Sequence, residues 1–434
     1  MRKIIAAALF AAIATTSFAQ SGTNSPYSQY GLGMLSDQSN SFNRGMNGLA
    51  YGLREHNQVN TMNPASYSAI DSLSFIFDAG VGLQLTNYEE GNKKVNAKTA
   101  NFEYVTAIFR AAKHVGVSFG LIPYTNIGYT YYNKDNVNGS SSPNSSNTTY
   151  SNEYHGEGGI HQAYLGAAWE PLKGLSVGAN VSYVWGDYNR YVINSYSDAY
   201  VNTLAKYYTA EINSYKIDLG LQYQAKITKK DLLTLGATYS IGHKLGADPE
   251  CKIISNNSQT GIADTTSYSI KDGLSLPHTF GIGAAWKHNN QITLGVDYQL
   301  QKWGNLEYPQ YDDNAYYLTK GLFKDRHKVT FGGEYCHGEL SRSFFGRVHY
   351  KAGVSYASPY QKINGKDGPK ELSVSAGFGI PIMNGYNNRS MLHISGQWSN
   401  LDASGLIKEN TFRINIGFTF NEKWFAKFIK LLKK

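Results

Sequence analysis

The sequence predicts an all-β fold: a 14-stranded antiparallel transmembrane β-barrel with an N-terminal hatch inside the lumen. Three observations carry this expectation. From Ser72 onward apolar and polar residues alternate with period two, over segments of ten or more residues. Short connections follow the even-numbered segments and long ones the odd-numbered segments, a sorting that a soluble sandwich has no reason to show. Composition agrees: 44 glycines, 34 tyrosines and 17% charged residues, against about 25% charged in ordinary soluble domains.

Residues 1–19 read as a signal peptide. Arg2 and Lys3 precede the apolar run Ile4 to Ile13, and Ser17-Phe18-Ala19 before Gln20 makes a small-x-small cleavage site. No cysteine follows that site, so a lipoprotein anchor is not expected. No later run of about 18 apolar residues offers a spanning helix.

Residues 20–71 lack the alternation. They hold Gly31, Gly33, Gly45, Gly48 and Gly52, then Asn63, Pro64 and Ala65. A stretch this short does not easily make an independent domain. It is expected to pack in the lumen as a hatch.

Residues 72–420 divide into strands at 72–87, 100–110, 114–132, 154–169, 174–187, 211–226, 231–244, 275–287, 291–303, 325–337, 344–357, 370–381, 389–400 and 409–420. An even number suits a single-chain outer-membrane barrel. Trp169, Trp185, Trp286, Trp303 and Trp398 fall near strand ends, as interfacial girdles require. Pro123 stands inside the third strand with Gly120 and Gly128 nearby. Proline donates no N–H, so a bulge or kink is expected there. Two readings follow: a lateral gate in the wall, or a rim bulge without transport. Pro277 opens the eighth strand.

Residues 421–434 form the tail. Trp424, Phe425 and Phe428 share one helical face, and Lys423, Lys427 and Lys430 the other. This is a basic amphipathic segment, for anionic lipid or for a periplasmic partner. It also explains the charge. Of the formal +8, the first residues hold two and the tail four, leaving a nearly neutral body unsuited to nucleic acid.

No enzyme and no cofactor are expected. The histidines have no metal-ligand spacing. Gly156-Glu157-Gly158-Gly159 lacks the Lys-Ser/Thr of a phosphate loop. Cys251 and Cys336 fall at opposite barrel ends, out of disulfide reach. Asp78, Glu103, Lys216, Asp218, Asp297, Arg347, Lys351 and Arg413 are expected to face inward and form hatch-to-wall ion pairs, with Asp78 and Arg413 able to meet across the barrel seam.

The stretch Asn43-Arg44-Gly45-Met46-Asn47-Gly48, with Asn63-Pro64-Ala65-Ser66-Tyr67 just before the first strand, resembles the hatch of FadL/TodX-type outer-membrane transporters. The style is closest to the Bacteroidota-type branch, which also contains PorV-like barrels serving protein secretion. The resemblance implies an outer-membrane channel for passive uptake of hydrophobic or amphipathic compounds of the long-chain fatty acid type, released sideways through the wall. Leu35, Phe42, Met46 and Leu49 are then the candidate hydrophobic ligand contacts. The alternative is a barrel scaffold or shuttle subunit of an outer-membrane secretion or assembly complex, with outer-membrane or periplasmic protein partners. Either function places the chain in the outer membrane of a Gram-negative bacterium, in contact with its lipid and with both mature termini periplasmic.

Overall fold

Alternation puts one set of side chains out and the other in, and the wall obeys it with the soluble pattern inverted. Val81, Leu83, Leu165, Val181, Ile282 and Phe331 are exposed on the outer face. Ser118, Gln222, Ser373 and Thr419 are buried inside. Such a surface suits lipid outside and polar contacts within.

A computed structural model describes residues 22–72, 74–137, 148–382 and 390–422. Fourteen strands form the wall: β1 (Phe75–Glu90), β2 (Lys93–Ala112), β3 (Val115–Asn136), β4 (Thr149–Leu172), β5 (Leu175–Tyr196), β6 (Thr203–Lys226), β7 (Asp231–Ser240), β8 (Thr279–His288), β9 (Ile292–Gln301), β10 (Arg326–Tyr335), β11 (His349–Ala357), β12 (Lys370–Ile382), β13 (Ser390–Asp402) and β14 (Lys408–Glu422). Each pairs antiparallel with the next. β14 closes on β1, from Phe75 opposite Glu422 to Glu89 opposite Lys408. The barrel is transmembrane, of the outer-membrane type.

The strands run further towards the loop end than the alternation indicates. β1 and β2 join through Gly91-Asn92 alone, with Gly91 at φ 57°. β3 continues to Asn136, and β4 begins at Thr149. Past the membrane a strand needs no lipid-facing apolar residue, so its sequence reads as loop. Cross-strand aromatics hold it instead: Tyr131 stacks on Tyr154 at 4.7 Å. The long connection after β7 adds a hairpin, Glu250–Asn256 with Ala263–Ser269, whose first strand pairs with the outer half of β6.

At the other end the strand expected from 344 begins at His349. Phe344–Arg347 form a helical turn instead, so Arg347 does not face the lumen from a strand. Its guanidinium donates to the carbonyls of Ser341 and Arg342. Trp169, Trp286 and Trp398 stand outward as girdle residues. Trp303 does not: it is 1% exposed and packs against Phe323 and Tyr360 in the core.

Most of residues 22–72 lies inside the barrel. A 3-10 turn at Pro26–Gln29, a helical turn at Ser41–Arg44 and a 3-10 helix at Pro64–Ala69 shape this segment. Asn63 caps the last, accepting from the Ala65 amide, with Pro64 in the first turn where a missing N–H costs nothing. The seat is built from glycines. A Cβ on Gly116 would lie 2.0 Å from the Tyr67 carbonyl oxygen; one on Gly236, 1.8 Å from that of Tyr51; one on Gly353, 2.3 Å from Met46 backbone. Lumen-facing glycines meet across strands, Gly178 with Gly220, Gly236 with Gly283, and Gly295 with Gly332 and then Gly353, while Gly116 lies opposite Arg110 and Ala168.

Candidate functional site

A closed wall needs every strand paired on both sides, and one seam departs from this. The β2–β3 ladder runs from Val115 opposite Ala112 to Leu121 opposite Val105 and ends there. Beyond it β2 pairs only with β1, while β3 pairs with β4 along its whole length. Each strand carries a bulge at the parting. Glu103 is the extra residue of β2, between Tyr104 opposite Gly80 and Phe102 opposite Val81. Tyr124 is the extra residue of β3, between Pro123 opposite His161 and Thr125 opposite Ile160. Bulges bend strands, and here two bend the wall apart. On β4, behind the parting, Gly158 and Gly159 take φ 120° and 149°, which a side chain would resist.

The opening lies in the lipid-facing band. Phe102 sits opposite Val81 and Ala100 opposite Leu83, both outward apolar residues. Bare strand edges in hydrocarbon cost several kcal/mol per unsatisfied group. The chain covers part of them with its own N-terminal segment. Met34 and Leu35 pair antiparallel with Asn126 and Thr125. The Ser36 amide donates to the Tyr124 carbonyl at 3.0 Å. Gln38 donates to the Pro123 carbonyl at 2.8 Å. Across the opening, Asn24 donates to Thr99 at 2.8 Å, and Asn101 to the Gly22 carbonyl at 2.8 Å. Ser25 donates to Glu409 at 2.6 Å. Residues 22–38 are a strap laid into the wall.

The lumen behind the strap holds a cavity of about 190 Å³. Met34, Leu35, Phe102 and Tyr124 line it on the strap side, with Arg326, Lys328 and Arg413 among its other walls. Asp37 also lines it. Its carboxylate accepts from the Ser39 amide at 2.9 Å and the Ser39 hydroxyl at 2.6 Å. Outward of the strap, a slot of about 1130 Å³ separates the outer ends of β2 and β3, with Asn24 and Pro26 among its lining residues.

The family model described as BamG matches residues 1–429. The chain belongs to the BamG family. Its fold is similar to that of the Ralstonia pickettii toluene transporter TbuX, at 15% identity and TM-score 0.59, covering 88% of this chain and 98% of that one. It is similar to the P. putida toluene transporter TodX, at 14% identity and TM-score 0.58, covering 91% and 98%. It is likewise similar to a Pseudomonas aeruginosa FadL homologue, at 11% identity and TM-score 0.61, covering 90% and 99%. At these identities the likeness is one of fold, and it is the FadL/TodX-type fold. No curated protein matches the chain.

In this BamG-family barrel the three residues singled out in the third strand are spread along the edge from the end of the ladder into the parting. Gly120 lies in the last rungs of the ladder, where a Cβ would meet the Val105 carbonyl oxygen at 2.4 Å. Pro123 flanks the bulge, and the Gly128 amide donates to the Ser28 hydroxyl at 3.1 Å. The hydrophobic hatch residues divide. Leu35 lines the cavity. Phe42, Met46 and Leu49 do not: they pack with Leu53 and Ala285 in a buried cluster. The glycine seat leaves room for these apolar side chains at the wall. Asn63 is wholly buried, donating to the Tyr51 carbonyl at 2.8 Å, and Ala65 is buried beside it.

Hatch-to-wall ion pairs form between Arg44 and Glu103 at 2.8 Å, Arg54 and Glu170 at 3.0 Å, and Lys287 and Glu55 at 2.6 Å. Asp78 and Arg413 do not meet. Asp78 lies opposite Thr419 and Arg413 opposite Gln84, well apart along the seam. Asp78 accepts from Asn40 and Thr419, and Arg413 donates to Gln84. Arg44 ties the hatch to the bulge of β2. Arg44→Met leaves the Glu103 carboxylate buried without its cation, a cost of about 3–5 kcal/mol. The expected result is a lower unfolding temperature of the purified barrel, read as heat-dependent gel mobility.

Sequence reasoning missed the strap. Its signals are faint: a serine cap before Pro26, and a third strand whose proline leaves an edge in need of cover. The first described residue, Gly22, lies in the opening rather than at the rim where β1 starts and β14 ends. The signal peptide and the tail residues Lys423, Trp424, Phe425, Lys427, Phe428 and Lys430 lie outside the described residues.

Proposed function

We propose that this chain is an outer-membrane channel for a small amphipathic compound, which passes through the lumenal cavity and leaves sideways between β2 and β3. The observation that carries the reading is the parting of the wall inside its apolar band, covered by the chain's own strap. The cavity behind it supports the same reading. Met34, Leu35, Phe102 and Tyr124 give it apolar surface, beside polar and charged groups that include Asp37, Arg326, Lys328 and Arg413, a mixture that suits a molecule with a polar head and an apolar body. Hydrophobic uptake is what the toluene transporters of this fold are named for. Gly120, Pro123 and Gly128 are the gate residues in this reading, and Leu35 the ligand contact.

A second reading, a scaffold or shuttle subunit in protein secretion or assembly, draws on the tall sheet of β4–β6 with its exposed Tyr183 at 56% and, in the β5–β6 connection, Tyr200 at 78%. One experiment separates the two. The native protein is purified in mild detergent and its bound molecules identified by mass spectrometry. An amphipathic compound at stoichiometric level, with uptake cut severalfold by Pro123→Ala, is the expected result. Stoichiometric protein partners with no small molecule would replace the channel by the scaffold.

A further inference from the structure

We infer that the outer part of the opening, beyond the strap, is a docking site for an extended, basic peptide segment of another protein, which adds a strand to the free edge of β3. The inference stands apart from the channel reading. Among the described residues no strand is registered on the β2-facing edge of β3 past Asn126, nor on the facing edge of β2 from Lys93 to Tyr104. Strand addition to an exposed edge is a common mode of peptide capture.

The edge is set for pairing. The Ser28 hydroxyl bonds both the amide and the carbonyl of Gly128, so these backbone groups point into the opening. Alternate residues share that direction, which puts the amides of Thr130, Tyr132 and Lys134 on the same side. Exposed edges are normally blunted by lysine, proline or a bulge. β2 has Lys93, Lys94 and Lys98. The β3 edge reads Tyr129-Thr130-Tyr131-Tyr132-Asn133, strand-forming residues, before its first lysine at Lys134. The chain already pairs Met34 and Leu35 antiparallel on the lower part of the same edge.

The strap does not reach further. With cleavage before Gln20, two residues precede Gly22 and add at most about 7 Å. The edge from Gly128 to Asn136 runs about 26 Å. The strap therefore leaves this stretch of the edge to a guest segment. Glu89, Glu90, Glu157 and Asp187 line the slot against Lys93 and Lys98, so carboxylates outnumber lysines there. The complementary guest carries Lys or Arg.

The test uses the whole mature protein in zwitterionic nanodiscs. The probe is a labelled peptide of about eight residues, long enough to cover the edge, with Lys alternating with Val. A Glu-for-Lys peptide is the comparison. Saturable binding of the Lys peptide is expected, with little binding of the other. Thr130→Pro removes one donor that faces the slot and leaves the β4 ladder intact. It should weaken binding about five- to tenfold. Tyr132→Pro repeats the measurement if the first variant does not fold. Equal binding of both peptides, or unchanged binding by the proline variants, would overturn the inference. In cells, a photo-crosslinking residue at Val95, which is 63% exposed on the slot, should map to extended segments of a protein. Adducts of lipid or glycolipid alone would overturn it as well.

Discussion

A barrel carrying Met34→Cys and Asn126→Cys should lose uptake by at least about tenfold when oxidised and regain it on reduction. The two residues face each other in the antiparallel pair that ties the strap to β3. Directly opposed residues have Cα atoms about 4.5–5.5 Å apart, inside the range a disulfide spans without moving the backbone. The bond forms without help in an oxidising compartment. Cys251 and Cys336 are buried, so neither competes for the new thiols. Once locked, the strap cannot leave the edge of β3 and the parting stays covered. Uptake of a labelled amphipathic compound into whole cells, before and after dithiothreitol, measures the effect. Full uptake through the oxidised form would mean that any solute leaves by another route. The reduced double variant serves as its own control, since Asn126 also donates to Ser36 at 2.7 Å and that bond is lost in both states.

The wall was legible in the sequence because it follows one rule. Period two with apolar residues outward is the pattern the membrane imposes, and it locates every strand inside the band. It fails where the membrane stops. The outer ends of β1 to β6 are strands held by cross-strand partners and hydrogen bonds, and nothing in their composition separates them from loops. Pro123 located the parting for a physical reason, the missing donor. The strap that covers the parting was not legible. Residues 22–38 have no alternation of their own, and their partners lie about 100 residues away on β2 and β3. Trp303 was misplaced for a related reason. A tryptophan near a strand end fits a girdle, but here loops fold over the lumen and supply Phe323 and Tyr360 as interior partners. Phe42, Met46 and Leu49 were read as ligand contacts because they are apolar residues of a hatch that resembles a transporter's. The glycine seat that receives them was visible only as composition.

That seat yields the other large effect. Gly116→Val should destabilise the hatch by about 3 kcal/mol or more, while Gly396→Ala should do almost nothing. At Gly116 a Cβ would meet the Tyr67 carbonyl oxygen at 2.0 Å and the carbonyl carbon at 2.6 Å. Both are backbone atoms of the 3-10 helix that follows Asn63, so no side chain can swing aside. Overpacking of this kind costs about 1–3 kcal/mol, and more when backbone must shift. Gly396 has only the Phe412 ring near it, at 3.7 Å, which is ordinary contact. The two substitutions thus add side-chain atoms to the same barrel and differ in what those atoms meet. Limited proteolysis of purified protein reads the result: cleavage near residues 54–72 should appear in Gly116→Val with the strands still resistant. Unchanged resistance would mean that the hatch has room to shift within the lumen. In that case Gly116 serves the wall rather than the seat, and the route of a solute past the hatch would not be confined to the strap.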